Sequence, residues 1–123
     1  MDTQKQQRTT LEILTTGRQY GEFNIINGYM HAPNLEHIKL KNGVRLSIQA
    51  ADGMYCTPRD NYGPWFEVEV GVFGAKRPIK SFGSRWETQR KGKYAESRWY
   101  LYPWCSLKAV MAYIDRIGIA EVE

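Results

Sequence analysis

The chain has 123 residues, enough for one domain with its own core, and 42% hydrophobic against 24% charged residues excludes a wholly disordered chain. No apolar run approaches the roughly 20 residues of a membrane helix, and two cysteines with two histidines make a zinc site improbable. The formal net charge of +4 is unevenly spread. Eight cations between Phe73 and Arg98, set against Glu87 and Glu96, leave +6 there and −2 in the rest.

In chain order, "MDTQKQQRTT" is polar and reads as a flexible tail over residues 1–10, with no signal-peptide core behind it. The expectation is therefore a cytoplasmic protein with reduced thiols. "LEILTTGRQYGEFNIINGYMHAPN" has short apolar runs broken by Gly17, Gly21, Gly28 and Pro33, with "EFNIING" as a candidate strand. "HIKLKNGVRLSIQA" reads as two strands joined by Asn42-Gly43, for which a type I′ turn with φ > 0 at both residues is expected. Val44, Leu46, Ile48 and Ala50 would share one face; Arg45, Ser47 and Gln49 the other.

"YCTPRDNYGP" follows as an irregular connection, and then "WFEVEVGV" as a strand. Alternation puts Phe66, Val68, Val70 and Val72 on its apolar face and Trp65, Glu67 and Glu69 opposite. Pairing with 44–50 would bring both glutamates near Arg45. Residues 73–97 are Gly-rich and basic, a long loop or a ragged hairpin around "RKGK". "SRWYLYPW" reads as a strand ending at Pro103, and "SLKAVMAYIDRIG" as a helix. Ser106 is its N-cap, Gly118 its C-terminal stop, and Leu107, Val110, Met111, Ile114 and Ile117 its apolar stripe. The fold class is α+β: a single domain, with a small antiparallel β-sheet packed by a C-terminal α-helix.

Three features carry candidate chemistry. In the 55–64 loop, Pro58, Gly63 and Pro64 restrict the backbone around Arg59, Tyr55, Tyr62 and Trp65. A guanidinium fork suits phosphate or carboxylate, and the rings suit stacking. The same residues also fit a rigid connector in which Arg59 pairs with Asp60 or Asp52. In the basic segment, cations interleave with Phe82, Trp86, Tyr94 and Trp99, the combination a nucleotide or single-strand binder needs. It equally suits a solvated loop anchored by its rings. Cys56 as a nucleophile would need His31 or His37 beside it, and a buried inert thiol is commoner. Neither a phosphate loop nor a dinucleotide fingerprint is present, so no cofactor and no metal are expected.

"LKNGVRLSIQA", then "YCTPR", then "GPWFEVEVG" resembles a family of small bacteriophage proteins. Their pattern runs from a strand–Asn-Gly–strand unit through Gln-Ala and Tyr-Cys-x-Pro-Arg to a Val-Glu-x-Gly strand. The likeness covers about 38–71 well and 99–118 loosely. Ala51 stands where the pattern has Ser, and the N-terminus and the basic segment are longer. The resemblance implies a viral protein acting in the cytoplasm of an infected bacterium, without a nameable enzymatic activity. Small phage proteins of this kind often counter host defence. The expected function is a non-catalytic sponge for immune evasion, which binds a nucleotide-like small molecule of the cyclic nucleotide or ADP-ribose type, as a homo-oligomer. Its ligand residues would be Tyr55, Arg59, Tyr62, Trp65, Arg85 and Trp86. The alternatives are a direct inhibitor of a host defence protein, anti-CRISPR-like, and a small nucleic-acid-binding protein. An enzyme built on Cys56 is a fourth, less expected, reading.

Overall fold

The computed structural model describes residues 8–91 and 94–121, with side chains described outside 89–98. Its elements are α1 (Thr10–Thr16), β1 (Asn24–Ile26), β2 (Tyr29–His31), β3 (Ile38–Lys39), β4 (Arg45–Gln49), β5 (Glu67–Phe73), β6 (Glu87–Lys91), β7 (Tyr94–Ser106) and α2 (Leu107–Ile117). The α+β class expected from the sequence is the one found.

The N-terminal segment departs from its expectation. Residues 1–7 lie outside the described residues, but 8–10 are no loose tail. Arg8 pairs with Glu22, and the Thr9 side chain accepts from Glu12 N–H at 3.3 Å, capping a helix that ends at Gly17 (φ 90°). A Thr-x-x-Glu start and a Gly stop carry that signal in the sequence. Ile13 and Leu14 are the helix residues that reach the core.

The chain has two Asn-Gly turns, and they differ. Asn27 (φ 53°) and Gly28 (φ 81°) join β1 to β2 with φ > 0 at both, the geometry of a type I′ turn. At Asn42-Gly43 only Gly43 is left-handed (φ 89°), so the type I′ expectation fails there. Leu40 N–H donates to Val44 O at 2.8 Å and Gly43 N–H to Leu40 O at 3.1 Å, which makes a three-residue loop. Asn42 then has a second use: its amide donates to the Tyr113 hydroxyl at 3.1 Å and ties the hairpin to α2.

The main sheet has the order β3-β4-β5-β7-β6, antiparallel throughout. Its inner face carries Leu46 and Ile48, Val68, Val70 and Val72, and Tyr100 and Tyr102, all buried. Leu107, Val110, Tyr113 and Ile114 of α2 join them in one core, with Ser106 capping the helix from Ala109 N–H. Phe82, in a 3-10 turn over Lys80–Phe82, meets Tyr102 and Tyr113 edge-on at 5.4 and 5.3 Å, bridging sheet and helix. Met111 and Ile117 of the expected stripe are only partly buried; Tyr113 takes the buried place.

Three further expectations are corrected. Residues 73–97 are not one long loop: they hold the Lys80–Phe82 turn, β6 and the start of β7, with Lys91 paired to Tyr94. The hairpin alternative is the one realised, and the tip at 92–93 lies outside the described residues. Next, β7 does not stop at Pro103. Its register against β5 shifts by one residue between Val68 and Val70, so Pro103 and Trp104 together oppose Glu69 and the strand continues to Ser106. A bulge is where a sheet accepts proline. Finally, Trp65 and Phe66 exchange faces: Trp65 is 3% exposed and Phe66 63%. Strand alternation begins only at Glu67, because Trp65 N–H donates to Leu14 O of α1 instead of entering the ladder.

β1 and β2 stand apart as a two-stranded ribbon, every residue of it exposed. No helix among the described residues is long and apolar enough to cross a membrane.

Candidate functional site

The six expected ligand residues are not gathered in one place. Tyr55 and Arg59 do meet, with the guanidinium 5.5 Å from the ring centroid. Arg59 Nε donates to the Asp52 carbonyl at 3.2 Å, while the Asp60 carboxylate is used inside the loop by Tyr62 and Gly63 N–H. Tyr62 leans on Phe23 at 5.4 Å. Trp65 is a core residue and cannot stack on a ligand from there. Arg85 is exposed, and Trp86 meets Tyr100 of the inner face edge-on at 5.5 Å. Among the described residues, no hydrogen bond, ion pair or ring contact joins Arg85 or Trp86 to the 55–64 loop.

What the sheet does assemble is its outer face. Cross-strand register sets Lys39, Arg45, Phe73 and Trp99 side by side on β3, β4, β5 and β7. Phe73 and Trp99 stack at 4.9 Å and 21°, and His37, just before β3, stacks on Phe73 at 5.8 Å and 14°. The Arg45 guanidinium lies 4.6 Å from the Phe73 centroid. Arg45 thus faces an aromatic ring, not Glu67 and Glu69 as the pairing pattern suggested. Those glutamates are engaged elsewhere: Glu67 accepts from the Thr57 hydroxyl at 2.7 Å and Glu69 from Tyr55 N–H at 3.0 Å.

The next row down is Ser47, Gly71 and Leu101. A Cβ on Gly71 would lie 3.3 Å from ring atoms of both Phe73 and Trp99, so the glycine lets the two rings settle over the sheet. One row further sit Glu69 and the Pro103–Trp104 bulge, where Trp104 adopts φ 48° and packs its ring 4.9 Å from Tyr55. The face therefore has rings and a cation at both ends, four residues or roughly 13 Å apart along β5. Phe73, Trp99 and Leu101 are half-buried and Arg45 is exposed, so the face is accessible.

The sequence reading does not place Trp104, Phe73 or Arg45 among the candidate ligand residues. The readable signals were a bulky residue after a proline inside a strand, and an aromatic and an arginine at polar-face positions.

His37 is held below its ordinary value by partial burial and then by Arg45, so the imidazole is neutral at pH 7. The thiols offer no nucleophile. Cys56 is buried, its Sγ donates to Ala51 O at 3.2 Å, and burial pushes its pKa up. Cys105 is pushed up to about 12 by burial. Thiolate, the reactive form, is disfavoured at both. They remain free thiols, and neither histidine stands beside Cys56: His37 is on Phe73 and His31 is in the exposed ribbon.

A groove of about 720 Å³ between the start of β5 and α2, lined by Phe66, Lys108, Met111 and Asp115 among others, has no stacked pair and a mixed charge. No protein-family model matches the chain, and neither a curated protein nor a solved structure matches it.

Proposed function

We propose that the chain is a non-catalytic nucleotide-binding protein whose ligand lies on the outer face of the sheet. One observation carries this reading: the His37–Phe73–Trp99 ladder with Arg45 over its middle ring and Lys39 alongside. Planar bases add to aromatic rings with about 1–3 kcal/mol each, and cations beside them meet phosphates. Open antiparallel sheets with ring side chains on two neighbouring strands read single-stranded bases in the same manner. The Tyr55–Arg59–Trp104 cluster would hold the far end of a ligand longer than one nucleoside, which retains part of the loop reading and moves its centre to the sheet.

The resemblance to small bacteriophage proteins gives this binding a purpose: sequestering a nucleotide-type host immune signal. The thiols' protonated state and the engagement of Glu67 and Glu69 support binding without turnover. Native mass spectrometry of the full chain with cyclic dinucleotides, cyclic oligonucleotides and ADP-ribose-type molecules tests it. Saturable mass additions lost in Phe73→Ala and Arg45→Ala are expected. A protein unmoved by the whole panel would overturn it. Longer single strands bound with a steep salt dependence would instead favour the nucleic-acid binder.

A second observation supports the oligomeric part of the reading. Ile25, Ile26 and Tyr29 of the β1–β2 ribbon are 60%, 53% and 72% exposed, and paired ribbons of this size are marginal alone. A second copy of the chain is the occupant a sponge would use; a host defence protein is the occupant a direct inhibitor would use.

A further inference from the structure

Arg18 follows the Gly17 stop of α1 and is buried, at 7% exposure. Its guanidinium lies 5.8 Å from the Trp65 ring centroid and makes one hydrogen bond, from a terminal nitrogen to the Ala50 carbonyl at 3.2 Å. Its Nε is buried with no partner among the described residues. The nearest acid is no substitute. Both Glu22 oxygens accept from Arg8, and one also accepts from Gln19 N–H at 2.7 Å. A buried charge without a counter-charge is among the most expensive features a fold can carry. Desolvation pushes the Arg18 pKa down, Glu22 offsetting part of it, yet a guanidinium stays charged.

This side chain lines a half-open cavity of about 890 Å³ between α1, residues 33–39 and Ile119–Ala120. Arg8, His37 and Lys39 line it too, with the Thr9 and Thr10 region between them; its acids are Glu22, already engaged, and the exposed Glu36. Arg8 is spent on Glu22, Thr16 and the Gly17 carbonyl. Arg18 and Lys39 are not in ion pairs among the described residues. A buried fork of donors with unused N–H, backed by a lysine at the rim, matches the acceptor geometry of a tetrahedral or planar oxyanion.

We propose that this cavity is a second binding site, for a phosphate or carboxylate group, with Arg18 as its anchor and Lys39 as its rim cation. The occupant accepts from the terminal nitrogen that Ala50 does not engage, the sealed Nε staying out of reach, and neutralises the buried charge. The site does not depend on the sheet-face reading: it rests on Arg18 and would stand if no base bound near Phe73. His37 and Lys39 belong to both surfaces, so the group can come from free phosphate or from the phosphate of a bound nucleotide.

The test uses the full chain with inorganic phosphate as probe, against chloride at matched ionic strength. Thermal unfolding and ³¹P line broadening are followed for wild type, Arg18→Met and Lys39→Gln. Arg18→Met keeps an unbranched side chain against Trp65 and removes the donors; Lys39 is exposed, so its variant folds whatever Arg18→Met does. Saturable phosphate stabilisation is expected, weakened tenfold or more in Arg18→Met and a few-fold in Lys39→Gln. Repeating the titration with a nucleoside 5′-monophosphate separates the sources. Tighter binding that Phe73→Ala also weakens supports the nucleotide's phosphate; binding indifferent to Phe73→Ala supports free phosphate. No phosphate effect beyond chloride up to about 20 mM, or an effect undiminished in both cavity variants, overturns the proposal.

Discussion

Tyr55 and Trp104 hold each other twice: their rings pack at 4.9 Å, and Trp104 N–H donates to the Tyr55 carbonyl at 3.0 Å. The backbone at Trp104 is left-handed, φ 48°, which costs an L-residue roughly 1–2 kcal/mol. The ring contact, worth about 0.5–1.5 kcal/mol, offsets much of that. Trp104→Ala keeps the strain and loses the contact, whereas Trp104→Gly loses both. After allowance for glycine's looser unfolded chain, Trp104→Gly should be more stable than Trp104→Ala by about 0.5 kcal/mol or more in urea unfolding. An alanine variant at least as stable as the glycine one would mean that the bulge is not strained.

On the sheet face, Phe73→Ala should weaken nucleotide binding about 10- to 100-fold, because its ring holds His37, Trp99 and Arg45 in one stack to whose ends a base adds. Arg45→Ala should weaken it by a similar factor, since Arg45 covers Phe73 and supplies charge. Arg59→Ala should cost only a few-fold, and Arg85→Ala nothing, because Arg85 joins neither cluster. Isothermal titration of the four variants measures this order. An intact Phe73→Ala beside a dead Arg85→Ala would return the site to the basic segment.

The His37 imidazole titrates below its ordinary value near 6.5, through partial burial and the positive Arg45. A depressed folded pKa contributes stability above about pH 6.5 that is lost as pH falls through the folded value, because the unfolded state takes the proton more readily. A phosphate arriving beside His37 reverses the local charge balance. The His37 pKa should therefore rise on ligand binding. An NMR titration of its ring with and without ligand reads this directly, and a His37 pKa that ligand leaves unmoved or lowers would rule the placement out.

Cys56 and Cys105 make the opposite kind of prediction. Burial raises both, Cys105 to about 12. A folded pKa above the unfolded value of about 8.5 gives stability that is complete below that pH and is lost as pH climbs towards 12. Stability should fall from about pH 9 upward, less steeply in Cys105→Ala. At pH 8 a thiol-disulfide reagent should label neither cysteine in the native protein and both in guanidinium. Fast native labelling of Cys56 would reopen the nucleophile reading.

Much of the fold was legible where local signals agree with tertiary packing. The alternation of Val44 to Ala50, the Ser106 cap and the Gly118 stop each appear as read. The losses lie where tertiary contacts outweigh period. Trp65 leaves the strand pattern because α1 offers Leu14 O to its N–H, and α1 gives a weak periodic signal because its apolar residues Leu11, Ile13 and Leu14 span barely one turn. Pro103 reads as a strand end because only the pairing with β5 shows that the strand continues past it through a bulge. The site failed for a related reason. A linear reading gathers residues adjacent in the chain, whereas His37, Arg45, Phe73 and Trp99 come from four segments joined only by register.

The β1–β2 ribbon is half legible in the sequence: "EFNIING" reads as a strand without a partner, and the better Asn-Gly turn of the two closes the pair. Ile25 pairs with Met30 and Ile26 with Tyr29, so each face of the ribbon carries two large apolar side chains, exposed from 37% to 72%. Such a ribbon is marginal unless something packs on it. Self-association buries the same patch from both copies and needs no other partner. Light scattering after size exclusion should give a mass of two or more chains for the wild type. Ile25→Ser with Tyr29→Ser should give one chain, with Phe73-dependent nucleotide binding retained at lower affinity. A wild-type chain that is monomeric at tens of micromolar, with or without nucleotide, would refute self-association through the ribbon and leave the ribbon to a host protein.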